Sequence, residues 1–396
     1  MQDTDQRPID LASLDPLEAA RILAPGIRER AEHIERERRV PDELTTSLAE
    51  AGLFRLCVPR TLGGREVDVA TLVHTIEAIA HADGAVGWCV MIGATTGVLS
   101  AYLPEPVARE IYGGTPGPIT GGVFAPLGTA VPERGGYRVS GRWPFASGCE
   151  HCAWLMGGCV INEDGVPRQH PDGQVDARLM IFPAAAARIV DTWTVSGLRG
   201  TGSHDITVAD LFVPAERAVS LTHDRPRHAG PLYRFPVFGL LALGIAGVAL
   251  GIARAAIDDL ITLAAAKQPT GSRRRLADRA LVQFQVAEAE ATWRAARAFL
   301  FDAVGAAWNA AVGRGDIGTS ERALLRLAAT HTATSAAKVV DAMYTAGGGT
   351  SIYAASPLQR QFRDVHVLTQ HIMVAQPTYE VVGRVLLGLD TDTAQL

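Results

Sequence analysis

Charged residues alternate with Ile, Leu and Ala at helical spacing from Ile22 to Arg38. Pro41-Asp42-Glu43 supplies the next helix start, with proline early and acids in the first turn. That helix carries Leu44, Leu48 and Leu53 and stops near Gly52; a loop, Pro59-Arg60-Thr61-Leu62-Gly63-Gly64, follows. Val69–His81 and Gly84–Leu103 read as two apolar helices. The pattern changes near Pro116. From Ile119 to Val219, short apolar runs sit between Gly, Pro, Asp and Asn turns, and Tyr137–Trp143, Leu179–Phe182 and Asp205–Val213 alternate with period two. The pattern predicts an all-β insert of about 100 residues, a small closed barrel.

Helical spacing returns from Leu232, through Phe235–Ala253, Leu276–Ala311, Thr319–Ala346 and Pro357–Leu389. Long helices with short connections predict a four-helix bundle. The fold class is α+β, divided at 1–117 (helical), 118–228 (β-barrel) and 229–396 (helical bundle). Phe235–Ala253 runs 19 residues without a charge, nearly enough for a membrane span. Gly239, Gly244, Gly247 and Gly251, and the continuation into Arg254 and Asp258, make it a buried helix with tight crossings instead.

The chain has 396 residues, 47% hydrophobic and 20% charged, which excludes a disordered polymer. Lys+Arg 37 against Asp+Glu 42 gives a net charge of −5, so no basic footprint for nucleic acid is present. Five cysteines, an odd number, imply reduced thiols and a cytoplasmic protein. The start, MQDTDQRPID, is not a secretory signal. Cys149-Glu150-His151-Cys152 has a redox or zinc spacing but no second pair, so no metal site is expected. No Gly-x-Gly-x-x-Gly follows a strand, so no NADH site is expected.

Several spaced motifs are similar to those of the acyl-CoA dehydrogenase superfamily. Glu50–Leu53 with Pro59–Gly64 resembles its N-terminal helix and Gly-Gly loop. Gly141-Arg142-Trp143-Pro144-Phe145-Ala146-Ser147-Gly148 and Gly197–Asp205 resemble the two barrel segments beside its flavin. Gly347–Gly349 and Arg363-Asp364 resemble the flavin-side loop and the helix after it. The resemblance runs from about residue 20 to residue 390. Dehydrogenation needs a carboxylate base. Val365–Thr378 and Ala229–Ala253, where the family carries it, contain no Asp or Glu. His371 stands near the first position instead. The chain is therefore similar to the two-component (group D) flavin-dependent monooxygenases. The resemblance implies the oxygenase component, hydroxylating an aromatic, heteroaromatic (phenol- or indole-like) or amine substrate through a C4a-hydroperoxyflavin. It implies reduced flavin (FMN or FAD) and O2, a separate NAD(P)H flavin reductase and a homotetramer. A dehydrogenase-type FAD enzyme with a displaced base such as Glu380, and a non-catalytic flavin-binding homologue, are the alternatives.

The site residues follow from that resemblance. His371 is expected to accept the substrate proton as a neutral imidazole, with His366, on another helix face, as its competitor. Ser147 is placed at the flavin N5–C4a edge, where its hydroxyl stabilises the adduct. Trp143 and Phe145, two apart on a strand, would share a face covering the flavin ring. Arg199, Thr201 and Ser203 would bind flavin phosphate or ring carbonyls. Arg273 would begin a bundle helix and reach a phosphate. Gly348 and Gly349 admit close backbone approach, and Thr350 follows with a hydroxyl. Trp88, Cys89, Ile92 and Tyr379 are expected at the substrate wall. The plainer readings are barrel core for Trp143 and Phe145, a turn serine for Ser147 and a solvated run for Arg273.

Overall fold

The computed structural model describes residues 10–394 and 396. The opening segment MQDTDQRPID lies, apart from Asp10, outside them. The first third is helical: α1 (Pro16–Glu29), α2 (Ala31–Glu37), α3 (Asp42–Glu50), α4 (Val69–Ala82), α5 (Gly84–Thr96) and α6 (Glu105–Tyr112). Buried Arg55 donates to the carbonyls of Leu62, Tyr112 and Gly114, which pins the Gly63-Gly64 loop.

Eight strands follow: β1 (Thr120–Glu133), β2 (Gly136–Ala146), β3 (Trp154–Glu163), β4 (Val166–Pro167), β5 (Ala177–Pro183), β6 (Arg188–Val190), β7 (His204–Pro214) and β8 (Ala218–Val219). Their order is β6-β7-β2-β1-β3-β5-β8, with β4 added to β3. β1 and β3 run parallel and the remaining pairs antiparallel. The expected closed barrel is corrected: the sheet ends at β6 and β8 without closing. Those strands have three and two residues, too few ladder bonds to complete the stagger that closure demands.

The last third holds α7 (Val237–Ala266), α8 (Ala280–Gly313), α9 (Thr319–Gly347), α10 (Pro357–Leu368) and α11 (Pro377–Leu386). The order of helices, sheet, helices is as expected. The single closing helix is not: it breaks between Leu368 and Pro377, leaving His371 in a turn. Arg273 lies exposed in the α7–α8 connection rather than on a helix.

α7 is the hub. It is apolar on all sides from Val237 to Ala253 and lies against α4, α5, α9, α8 and α10. Its most apolar window is 89% buried within the chain, so the uncharged stretch is a core helix here. The glycines permit this. A Cβ on Gly251 would lie 2.5 Å from the Glu77 carbonyl oxygen and 2.6 Å from the Ala80 Cβ. Gly251→Ala should therefore lower stability by about 1–3 kcal/mol through overpacking of α4 on α7, measured by urea unfolding. An unchanged midpoint would show that the crossing can relax.

Candidate active site

Four polar side chains from three segments meet where α5 crosses the sheet. The Trp88 Nε1–H donates to Ser147 Oγ at 2.9 Å. Ser147 Oγ lies 2.7 Å from Ser203 Oγ, and Ser203 Oγ lies 2.6 Å from Thr201 Oγ1. Thr201 Oγ1 donates to the Leu198 carbonyl at 2.8 Å. All four side chains are buried. Each hydroxyl owns one hydrogen. Thr201 spends its hydrogen on Leu198, so Ser203 must donate to Thr201 and Ser147 to Ser203. The chain has one direction, and Ser147, which also accepts from Trp88, keeps only one lone pair for a further partner.

The backbone positions this chain. Asp83 caps α5, accepting from the Ala85 and Val86 amides at 3.0 Å, and Trp88 follows about one turn later. Leu198 stands at φ 49° and Gly202 at φ 50°, so the segment between them coils tightly. The Gly148 amide donates to the Thr201 carbonyl at 2.8 Å, tying the Ser147 segment to that coil.

His371 sits beside Trp88, ring centroids 5.6 Å apart and edge-on. Burial, with the Arg326 guanidinium assisting, pushes its imidazole down to about 4. Its Nδ1 accepts from the Met373 amide at 3.2 Å. A neutral ring accepting at Nδ1 carries its proton on Nε2. At neutral pH such a ring is a weak base and presents an Nε2–H donor. His366 is separated from it on α10, its Nε2 2.8 Å from an Asp341 carboxylate oxygen.

Trp143 is also corrected. It is fully buried in the sheet core, donating from Nε1 to the Gly158 carbonyl at 2.7 Å, with no surface left for a cofactor. Phe145 does not share its face. A register shift between Trp143 and Ala146, with Phe145 at φ 65°, turns the Phe145 ring outward, 68% exposed, edge-on to Trp193. Thr201 and Ser203 join the chain as hydroxyls. Arg199 leans on the Val195 and Glu35 carbonyls.

Ile92 is half-buried on the Trp88 side of α5, near Gly121. Cys89 reaches toward the Thr201 carbonyl at 3.9 Å. The Tyr379 hydroxyl lies 3.3 Å from Thr334 Oγ1 on α9. Gly348, at φ 58°, ends α9, while Lys267 Nζ donates to the Gly347 carbonyl at 2.7 Å. A Cβ on Gly349 would meet open space, and Thr350 ends the short turn that follows. The Cys149 and Cys152 thiols point at the Gly202 and Gly148 carbonyls, and burial pushes Cys149 up to about 12.

Residues 17–105 match the acyl-CoA dehydrogenase N-terminal domain family, and residues 243–376 match its C-terminal domain family. The chain is 35% identical to an indole-3-acetate monooxygenase of Pseudomonas putida over 93% of each chain. The 3-HSA hydroxylase of Rhodococcus sp. RHA1 superposes with a TM-score of 0.89 at 27% identity, over 97% of this chain and 100% of that one. XiaF from Streptomyces sp., solved with FADH2 and glycerol, gives a TM-score of 0.86 at 27% identity over 96% of each chain. The chain belongs to the acyl-CoA dehydrogenase family, on its flavin-dependent monooxygenase branch.

In this monooxygenase, Glu380, the alternative base, is exposed on α11. Sequence reading missed Trp193, which carries no spacing signal, and the positive φ of Leu198 within the Gly197–Asp205 segment. It also missed the direction of the hydroxyl chain, which needs three segments in place at once. With the imidazole held near 4, the His371 ring should keep its neutral Nε2–H form between pH 8 and 5. Nitrogen NMR of histidine-labelled protein, with the signal assigned by its loss in His371→Gln, checks this. Titration near the ordinary value of about 6.5 would contradict the burial argument.

Proposed function

We propose that this chain is the oxygenase component of a two-component flavin-dependent monooxygenase. Its substrate is an aromatic or heteroaromatic ring of indole or phenol kind, or an amine. Reduced FMN or FAD comes from a separate NAD(P)H flavin reductase, O2 is the co-substrate, and the location is cytoplasmic. When bound, reduced flavin together with O2 supplies the electrophilic oxygen.

The observation that carries this reading is the directed hydroxyl chain. Ser147 offers a lone pair and no hydrogen, which suits a partner that donates. Reduced flavin carries a donor N–H at N5 and oxidised flavin does not, so the donor set fits the reduced cofactor. The outward Phe145 ring suits an aromatic neighbour. Trp88 and Ile92 supply an apolar wall that keeps water away. His371 directs an Nε2–H donor beside Trp88 and, neutral, brings no mobile proton. The indole-3-acetate relative supports the ring class.

His371→Ala should fold normally and lose at least tenfold in product formation with a flavin reductase and NADH, about 1.4 kcal/mol in barrier. Parent-like hydroxylation would overturn the assignment. The purified chain alone should not consume NADH, and added reductase should start turnover.

We infer a homotetramer joined through the C-terminal helices. Leu281 and Phe284 on α8 are 67% and 64% exposed, and Leu386 and Leu387 at the end of α11 are 74% and 76% exposed. Apolar side chains so displayed call for a cover. Assembly would bring a neighbour's Arg273 and Gly348 loops to the cofactor. Light scattering at micromolar protein should give four times the 42.0 kDa chain mass. A stable monomer that binds flavin would rule this out.

A further inference from the structure

Behind the hydroxyl chain lie two carboxylic acids that the reaction does not use. Asp364, on α10, and Asp83, ahead of α5, are both buried. Asp364 Oδ2 lies 3.4 Å from where a Cβ would stand on Gly84, the residue that follows Asp83. Each holds backbone. Asp83 accepts the first amides of α5, and Asp364 Oδ1 accepts the Leu198 amide at 2.5 Å.

The surrounding charges do not neutralise both acids. Arg360, on α10, comes within 4.0 Å of Asp83. Arg363, the next cation on that helix, pairs with Glu35 of α2 at 2.5 Å and also donates to the Ser196 carbonyl. Arg199 turns to the Glu35 carbonyl. From α7, Asp259 is taken by Arg28 and Gln361. One guanidinium therefore faces two buried carboxyls, with Glu35 adding negative charge. Two ionised carboxylates in a site of low polarity with one cation are costly, and retaining one proton relieves the cost.

We propose that Asp83 and Asp364 share one proton near neutral pH and act as positioning residues that hold the two ends of the hydroxyl chain in register. The wiring is specific. Asp83 fixes the start of α5, and α5 carries Trp88, the first donor of the chain. Asp364 fixes Leu198, whose carbonyl is the last acceptor. That carbonyl also takes the Trp193 Nε1–H at 3.1 Å, the ring against which Phe145 stands. Gly197 lies directly on the Arg363 backbone, where a Cβ would be 2.3 Å from the carbonyl oxygen, so the Leu198 turn has no slack against α10. A non-glycine residue at positive φ persists only when its surroundings hold it. Loss of the shared proton would set two negative charges against each other and part α5 from the Leu198 turn. Ser147 would then lose its direction. Burial, with Asp83 beside it, pushes the Asp364 carboxyl up to about 7, in accord with this geometry.

The sign of the pH effect follows. A carboxyl raised in the folded state contributes stability that is full below its unfolded value, about 3.9, and is lost as pH rises through about 7. Asp364→Asn keeps an oxygen for the Leu198 amide and cannot ionise. In flavin-free protein, its melting temperature relative to the parent should rise by roughly 2–4 °C or more from pH 5 to pH 8. Asp83→Asn should behave likewise, and serves if the first variant does not fold. Parallel curves for parent and variants would overturn the acid pair.

The positioning role, which rests on the flavin reading of Ser147, is tested by the ratio of hydroxylated product to hydrogen peroxide with reductase-supplied flavin. The parent ratio should fall from pH 6 to pH 8. Asp364→Asn should hold its pH 6 ratio at pH 8, and Asp364→Ala should leak peroxide at both, by roughly tenfold. An Asp364→Asn ratio that follows the parent would overturn the positioning role. Absence of product in parent and variants alike would overturn the functional reading itself, while the unfolding curves still decide the acid pair.

Discussion

A helix that is apolar on every side must be covered on every side, and the rest of this fold is arranged around that constraint. From Val237 to Ala253 α7 presents no polar stripe that could face water. α4 and α5 cover it from the N-terminal part, α8, α9 and α10 from its own part of the chain. The close approach has consequences at the site. Ile252 of α7 packs where a Gly84 side chain would stand, a Cβ there lying 2.9 Å from Ile252 Cδ1. That packing fixes the first residue of α5 against α10. Where Trp88 points is thus decided by how tightly α7 is wrapped.

The same wrapping buries much of the site, and burial gives its polar groups their character. An imidazole without water stays neutral, a carboxyl without water keeps its proton, and a hydroxyl without water must spend its hydrogen inside the protein. His371, Asp364 and the Ser147–Ser203–Thr201 chain are three results of one low-polarity environment. Each hydroxyl has one hydrogen to place, and the Leu198 carbonyl supplies a fixed end point. The direction of the whole chain is set there.

Much of this was legible in the chain itself. Helical period, then period two, then helical period again mark the order of the domains, and the missing carboxylate in Val365–Thr378 separates the oxygenase from its dehydrogenating relatives. What failed has separate causes. Sheet closure depends on stagger between strands far apart in sequence, and β6 and β8 are too short to supply it. The break before Pro377 reads as continuous helix because Thr369–Gln376 contains neither glycine nor proline. Tyr379 lies past that break, on α11, with its hydroxyl against Thr334 of α9.

The reversal of Trp143 and Phe145 is the most instructive failure. Spacing of two places residues on one face only where the ladder is regular. Here the strand slips between Trp143 and Ala146. Before the slip, Trp143 enters a slot left by Gly128, Gly141 and Gly157, where Cβ atoms would lie 2.3 to 2.5 Å from its ring. After it, Phe145 faces outward and Ser147 faces α5. The slot and the slip require each other: an indole that fills the sheet core leaves no room for a second ring on that face. The ring that faces outward and the ring that fills the core thus stand two apart in sequence, and Gly128, Gly141 and Gly157 decide which is which.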